Sequence, residues 1–356
     1  MADSALPVVV PALPAPGAGW IVSRGYDLAF FSGSLLVPAV LWAAFHLGFL
    51  TGVAVYVIFQ LLFNMPHNFQ TWTMTVLDRE DRKQHGMRYA AALAVLLAAF
   101  GGAQVFSPRV AYPWLRDLLL YWGYYHLVKQ HYGFQRLYER KMGGVSPRES
   151  FWIKRLLEAV SYLPLLLRFR DASLMTISAS GVSFAIRHPA LGPPAITAVL
   201  SLWAAAVTAA VAWHLWQAAR GRSGLWPRTL LLVSVTLAFG AAGLEREVLV
   251  AVALLTTFHN LQYLGLTWFH NRTRAGAAAT EGNRTVGWLA QGHVARYVTV
   301  SMVYGVVLFL PRLVAGGSRF ADLPVTLIVA LHYYVDGRVW RFDLYPERGR
   351  WLRLRK

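Results

Sequence analysis

The sequence predicts an all-α, polytopic membrane bundle of about eight to ten transmembrane helices with both termini cytoplasmic. Three observations carry that expectation. Hydrophobic residues make up 56% of the 356 residues and charged residues only 14%, against about a quarter charged in soluble domains. The apolar residues run in blocks of about 20, the length that spans a hydrocarbon core. The basic residues behind the formal charge of +17 gather in short loops between those blocks. There they set topology and meet anionic headgroups, and nucleic acid is not an expected partner.

Taken in order, residues 1–22 read as a flexible Pro/Ala-rich tail, without the basic stretch of a cleaved signal peptide. Residues 23–342 read as a single polytopic membrane domain, and residues 343–356 as a basic cytoplasmic tail. The candidate spans are Leu28–Leu50, Val53–Val76, Tyr89–Phe106 and Trp114–Phe134, then a short fifth near Leu156–Leu167. Ala195–Ala218, Leu230–Leu244, Val248–Phe269, Tyr297–Leu313 and Leu323–Val335 follow.

Basic loops follow spans two, four, six, eight and ten. If the spans alternate, all five lie on one face, which the positive-inside rule makes cytoplasmic. The expected location is the cell (inner) membrane. The segment "RFRDASLMTISASGVSFAIRHP" is the exception, since it puts Arg168, Arg170 and Arg187 outside. It, or span five, is a candidate interfacial amphipathic helix.

With no cysteine, thiolate chemistry is excluded, and the eleven histidines become the residues to explain. An ionisable residue inside a span is costly and marks a candidate site. His67 falls in span two, His126 and His131 in span four, His259 and His270 in span eight. His332 and Asp336 close span ten, and His85 lies in the loop after span two. These eight candidate metal ligands approach one membrane face from four non-adjacent spans.

At about 1.5 Å per residue, His67, His126 and His259 form a deep trio, with His131, His270, His332 and Asp336 shallower. His332 and Asp336 are i and i+4 and can serve one centre. His126 and His131 point about 140° apart on a regular helix. His259 and His270 lie about 16 Å apart along the axis and cannot share an ion. Asn64, Asn68, Gln130, Asn260 and Gln262 are candidate partners for the second imidazole nitrogens.

Imidazole with a carboxylate fits non-haem iron best, as one or two ions, with zinc second. The function expected is a metal-dependent membrane oxidoreductase acting on an apolar or lipid-like substrate from the bilayer. An acidic electron-donor protein would dock on the basic cytoplasmic surface. Arg272, Arg338 and Arg341 flank the histidines and are candidates for binding a substrate headgroup. Three alternatives stay open: a proton-coupled transporter using intramembrane histidines, a protein with haem held by two histidines such as His126 and His259, and a lipid-modifying transferase. The acidic run Asp78–Asp81 reads as a solvated loop beside its weaker reading as a diphosphate motif.

"HLVKQH" (His126, His131) has the HxxxxH form of the first desaturase box. With the one-sided placement of His67, His259, His270 and His332, it resembles the histidine-rich integral membrane non-haem iron enzymes: desaturases, hydroxylases and monooxygenases of lipids. The bacterial carotene-cleaving oxygenases are similar in kind. The resemblance implies iron and an oxygenase, hydroxylase or desaturase type of reaction. The chain departs from desaturases in having no adjacent histidine pair and more spans.

Overall fold

The structure, a computed structural model, describes residues 19–170, 174–179, 182–221, 225–276, 284–291, 293–315 and 320–354. It is a helical bundle. In chain order the helices are α1 (Arg24–His46), α2 (residues 52–73), α3 (Arg79–Phe106), α4 (Ala111–Lys141) and α5 (Pro147–Leu167). After a β-hairpin come α6 (Pro193–Ala219), α7 (Leu225–Leu244), α8 (Val248–Gly276) and α9 (Arg284–Gln291). The last are α10 (Val294–Val314), α11 (Leu323–Val339) and α12 (Pro346–Trp351). Side-chain caps fix several starts. Thr51 Oγ1 accepts from Ala54 N at 3.1 Å, and Asp78 Oδ1 accepts from Glu80 N at 2.9 Å. Ser146 Oγ accepts from Glu149 N at 3.2 Å, with Pro147 in the first turn.

Among the described residues six helices, α1, α3, α6, α7, α8 and α10, are long and apolar enough to cross a membrane. The shortfall against about eight to ten has a physical cause. Two of the remaining long helices, α2 and α4, carry polar residues of the candidate site, which lower their hydropathy, and α11, with 17 residues, is just short of spanning length. Burial sorts the six. The apolar stretches of α1, α3, α6 and α10 are 11–22% buried, whereas α7 and α8 reach 61% and 72%. The first four face outward as rim helices, and α8 is the central strut.

The fifth span is longer than the sequence suggests. α5 has 21 residues and packs along α6 and α7. Arg228 Nη2 meets Glu149 Oε1 at 3.0 Å at one end, and Gly243 lies against Pro164 at the other. The segment after it is not an amphipathic helix. Strands β1 (Leu174–Ala179) and β2 (Val182–Arg187) pair antiparallel, with Leu174 opposite Arg187. Its β-branched residues suit a strand better than a helix. Arg187 bonds Asp117 Oδ2 at 2.8 Å through Nη1 and accepts from Tyr121 OH at 2.7 Å through its carbonyl.

Residues 343–354 fold back onto the bundle. Arg348, buried, donates to Val339 O and Met74 O, each at 3.1 Å, and to Asp81 Oδ1 at 2.7 Å. Leu352 is wholly enclosed in the main core cluster.

Pro66 sits inside α2, where a proline costs a hydrogen bond and crowds the preceding turn. A π turn over Gln60–Asn64 opens the helix just before it. The next residue is His67. Against Pro66 lies Gly305 of α10, at which a Cβ would come 2.7 Å from the proline Cδ. Gly305→Ala is therefore expected to destabilise the protein by about 1–3 kcal/mol through overpacking. Thermal unfolding in detergent checks this, and Pro66→Ala should restore part of the loss in the double variant.

Candidate metal centre

Three helices deliver the four ligands. His67 comes from α2, His126 from α4, and His332 and Asp336 from α11. One ligand atom from each lies within 4.8 Å of all the others, and all four residues are buried. His67 Nε2 and His332 Nε2 are 3.0 Å apart. Asp336 Oδ2 faces His332 Nε2 at 3.8 Å and His126 Nε2 at 3.9 Å. His259 of α8 completes the wall, its ring edge-to-face with His67 at 4.9 Å and with His126 at 5.0 Å between centroids.

A hydrogen-bonded layer stands one helical turn further along. Asp336 Oδ1 accepts from Tyr263 OH at 2.6 Å and from Thr71 Oγ1 at 2.8 Å. Thr71 spends its proton on that carboxylate, so the 2.8 Å contact with His332 Nδ1 requires the imidazole to donate. His332 therefore presents Nε2 with its lone pair toward the centre. Asp336 is likewise committed through Oδ1, leaving Oδ2 for the centre.

The two layers reveal a repeat. His67 and Thr71, His259 and Tyr263, and His332 and Asp336 are each i and i+4. The fourth helix follows suit, since Gln130, four residues after His126, donates to His259 O at 2.9 Å. The histidines of α2, α8 and α11 meet in one layer and their i+4 partners meet in the next. The three helices must therefore run parallel.

Burial without partners is the electrostatic signature. His126 Nε2, His67 Nδ1 and His259 Nδ1 are enclosed and make no hydrogen bond. Orphaned polar atoms in a buried cluster cost free energy unless something else satisfies them. The donor set fits a metal ion. Imidazole nitrogens at about 2.0–2.1 Å from one ion and at right angles lie about 2.9 Å apart, close to the His67–His332 spacing. The other ligand atoms lie within 4.8 Å of this pair and would have to draw inward to share the ion.

No family model, curated protein or solved structure matches this chain. The reading of the site accordingly rests on its own geometry.

That geometry redistributes the expected residues. His67, His126, His332 and Asp336 come together, with His259 beside them, so the division into deep and shallow sets does not survive. Counting from span ends takes no account of the extra-wide turn that α2 carries just before His67. His131 turns away, stacked on Phe258 at 5.2 Å and edge-on to Phe239 at 5.4 Å. His270 contacts Asn271 Oδ1 at 3.2 Å and the edge of Trp340. His85 lies 3.4 Å from Asp81.

Of the three arginines, Arg272 covers Trp268, Arg338 covers Tyr334, and Arg341 pairs with Asp343 at the surface. In the acidic run Glu80 is exposed, but the two aspartates are neither solvated nor open for a diphosphate. Asp78 is buried against Arg274, and Asp81 against Arg348 and Tyr89.

Of the amide residues expected to orient the imidazoles, Asn64 bonds Gln60, Asn68 bonds Asn64 O, and Gln262 bonds Phe31 O. Asn260 makes no side-chain bond. Thr71 and Tyr263 do the orienting instead. The signal for them was a polar residue one turn after each intramembrane histidine.

A cavity of about 660 Å³ opens from the centre. Its walls are α4 and α11 and its floor is α8, with His126, Tyr263 and Asp336 exposed to it. Its size suits a small-molecule ligand.

Tyr263→Phe removes one of the two donors to the buried Asp336 carboxylate. The expected result is a loss of about 10- to 100-fold in metal affinity with the fold retained. A competitive chelator titration measures it, with thermal unfolding as the control.

Proposed function

We propose that this protein is a metal-dependent membrane oxidoreductase of the oxygenase, hydroxylase or desaturase type. Its metal is non-haem iron, and its substrate is apolar or lipid-like. The observation that carries the reading is the buried quartet of His67, His126, His332 and Asp336 at the inner end of a largely aromatic cavity. Three imidazoles and one carboxylate suit iron, and when bound such an ion supplies redox or Lewis-acid chemistry with positions open to reactants.

The chain's own residues supply the rest. Thr71 and Tyr263 hold Asp336 in one orientation, and Thr71 fixes the tautomer of His332. Trp122, Tyr333 and Trp340 line the approach. An acidic electron-donor protein docking on the basic face completes the proposal.

Haem fits poorly. A macrocycle between His126 and His259 would have to separate rings that stand edge-to-face at 5.0 Å, with His67 and His332 packed around them.

Elemental analysis of protein purified in mild detergent tests the reading. About one iron per chain is expected, without a haem absorption band, falling to background in His332→Ala and Asp336→Ala. Zinc in place of iron, or full metal content in both variants, removes the proposal.

A further inference from the structure

The cavity beside the centre is polarised along its length. His126, Lys129, Gly133, Arg136 and Arg140 follow one another at i, i+3, i+7, i+10 and i+14 on α4, which puts them on a single face. All five line the cavity. At about 1.5 Å per residue, Arg140 stands about 21 Å along the helix from His126.

The inner end of the cavity is aromatic and reaches the carboxylate and imidazole. The outer end is cationic, with Arg136, Arg140 and Arg341 facing one carboxylate, Asp343. Arg136 is engaged by Glu139, and Arg341 by Asp343. Lys129 and Arg140 have no carboxylate partner among the described residues. Each instead lies over aromatic rings, Lys129 at 5.4 Å from Tyr125 and Arg140 at 5.0 Å from Phe342.

We propose that the cavity binds a long single-chain amphiphile with an anionic head. The head is held at Arg140, and the chain is threaded past Lys129 toward His126 and Asp336. Charge complementarity selects the head. The aromatic length between the two ends selects an extended apolar chain. The proposal deepens the metal-centre reading and rests on it only for what happens at the inner end. Two glycines keep the groove open: at Gly133 and at Gly337 of α11, a Cβ would meet nothing within 4 Å.

The test uses full-length protein in nanodiscs of neutral phosphatidylcholine. Hexadecanoate and hexadecyl phosphate are compared with methyl hexadecanoate and hexadecanol, by competition against a brominated hexadecanoate that quenches tryptophan fluorescence. The anions are expected to bind at least ~10-fold more tightly than the neutral analogues. If one anion alone shows that preference, it identifies carboxylate or phosphate as the natural head. Arg140→Gln should shrink the preference below ~3-fold and leave the neutral analogues unchanged. Gly337→Leu should abolish binding of all four without lowering thermal stability, since the new side chain fills open space in a helix.

Equal affinity for charged and neutral compounds, or full binding in Gly337→Leu, overturns the proposal. His332→Ala separates the two readings, because it should remove the metal and leave amphiphile binding intact. A protein that holds no metal but prefers the anions overturns the centre alone.

Discussion

A carboxylate enclosed in the middle of a membrane-like bundle is expensive unless hydrogen bonds and counter-charges surround it. Asp336 is that carboxylate, and much of the architecture answers to it. Thr71 on α2 and Tyr263 on α8 both donate to one of its oxygens. Those two bonds lock α2, α8 and α11 in axial register. Once the donors are aligned, the histidines one turn earlier on the same three helices are aligned as well. The imidazole layer is thus a consequence of satisfying one buried acid, and His126 needs only α4 to lie alongside.

The broad fold was legible because hydrophobic blocks of spanning length are a strong signal, and the convergence of four non-adjacent spans was legible because their histidines fell near one end of each. The pair His332 and Asp336 could be placed on one face from spacing alone. The rest was hidden for definite reasons. α4 stays regular through His126 and His131, so the box-like spacing that drew attention to His131 also turns it toward Phe239 and Phe258. Thr71 and Tyr263 look ordinary until they are counted from the nearest histidine. The hairpin was masked by its arginines, which suggested an interfacial helix while its β-branched residues favoured strands. Residues 343–354 looked like a free basic tail because nothing in their composition shows that Arg348 has two backbone carbonyls and Asp81 waiting for it.

The site and the cavity share their walls. α4 contributes His126 at one end of its stripe and Arg140 at the other, α11 contributes Asp336, and Arg341 follows just past its end. Any shift of α4 against α11 therefore moves the polar centre and the cationic end together. Gly123 allows the close approach that couples them, since a Cβ there would fall 2.7 Å from the hydroxyl of Tyr333. The central helix α8 supplies the floor, and its high burial keeps that floor from adjusting independently.

Parallel helices have one further effect. Neighbours that run antiparallel cancel their macrodipoles, whereas α2, α8 and α11 point the same way and add theirs. Their carbonyl ends carry partial negative charge at a common face. Arg274 near the end of α8, Arg338 near the end of α11, and Arg348, whose guanidinium reaches Met74 O past α2 and Val339 O on α11, all sit where that potential is most negative. Part of the basic character of this face thus neutralises the backbone's own field, and the arginines there answer to helix direction as much as to any lipid or partner.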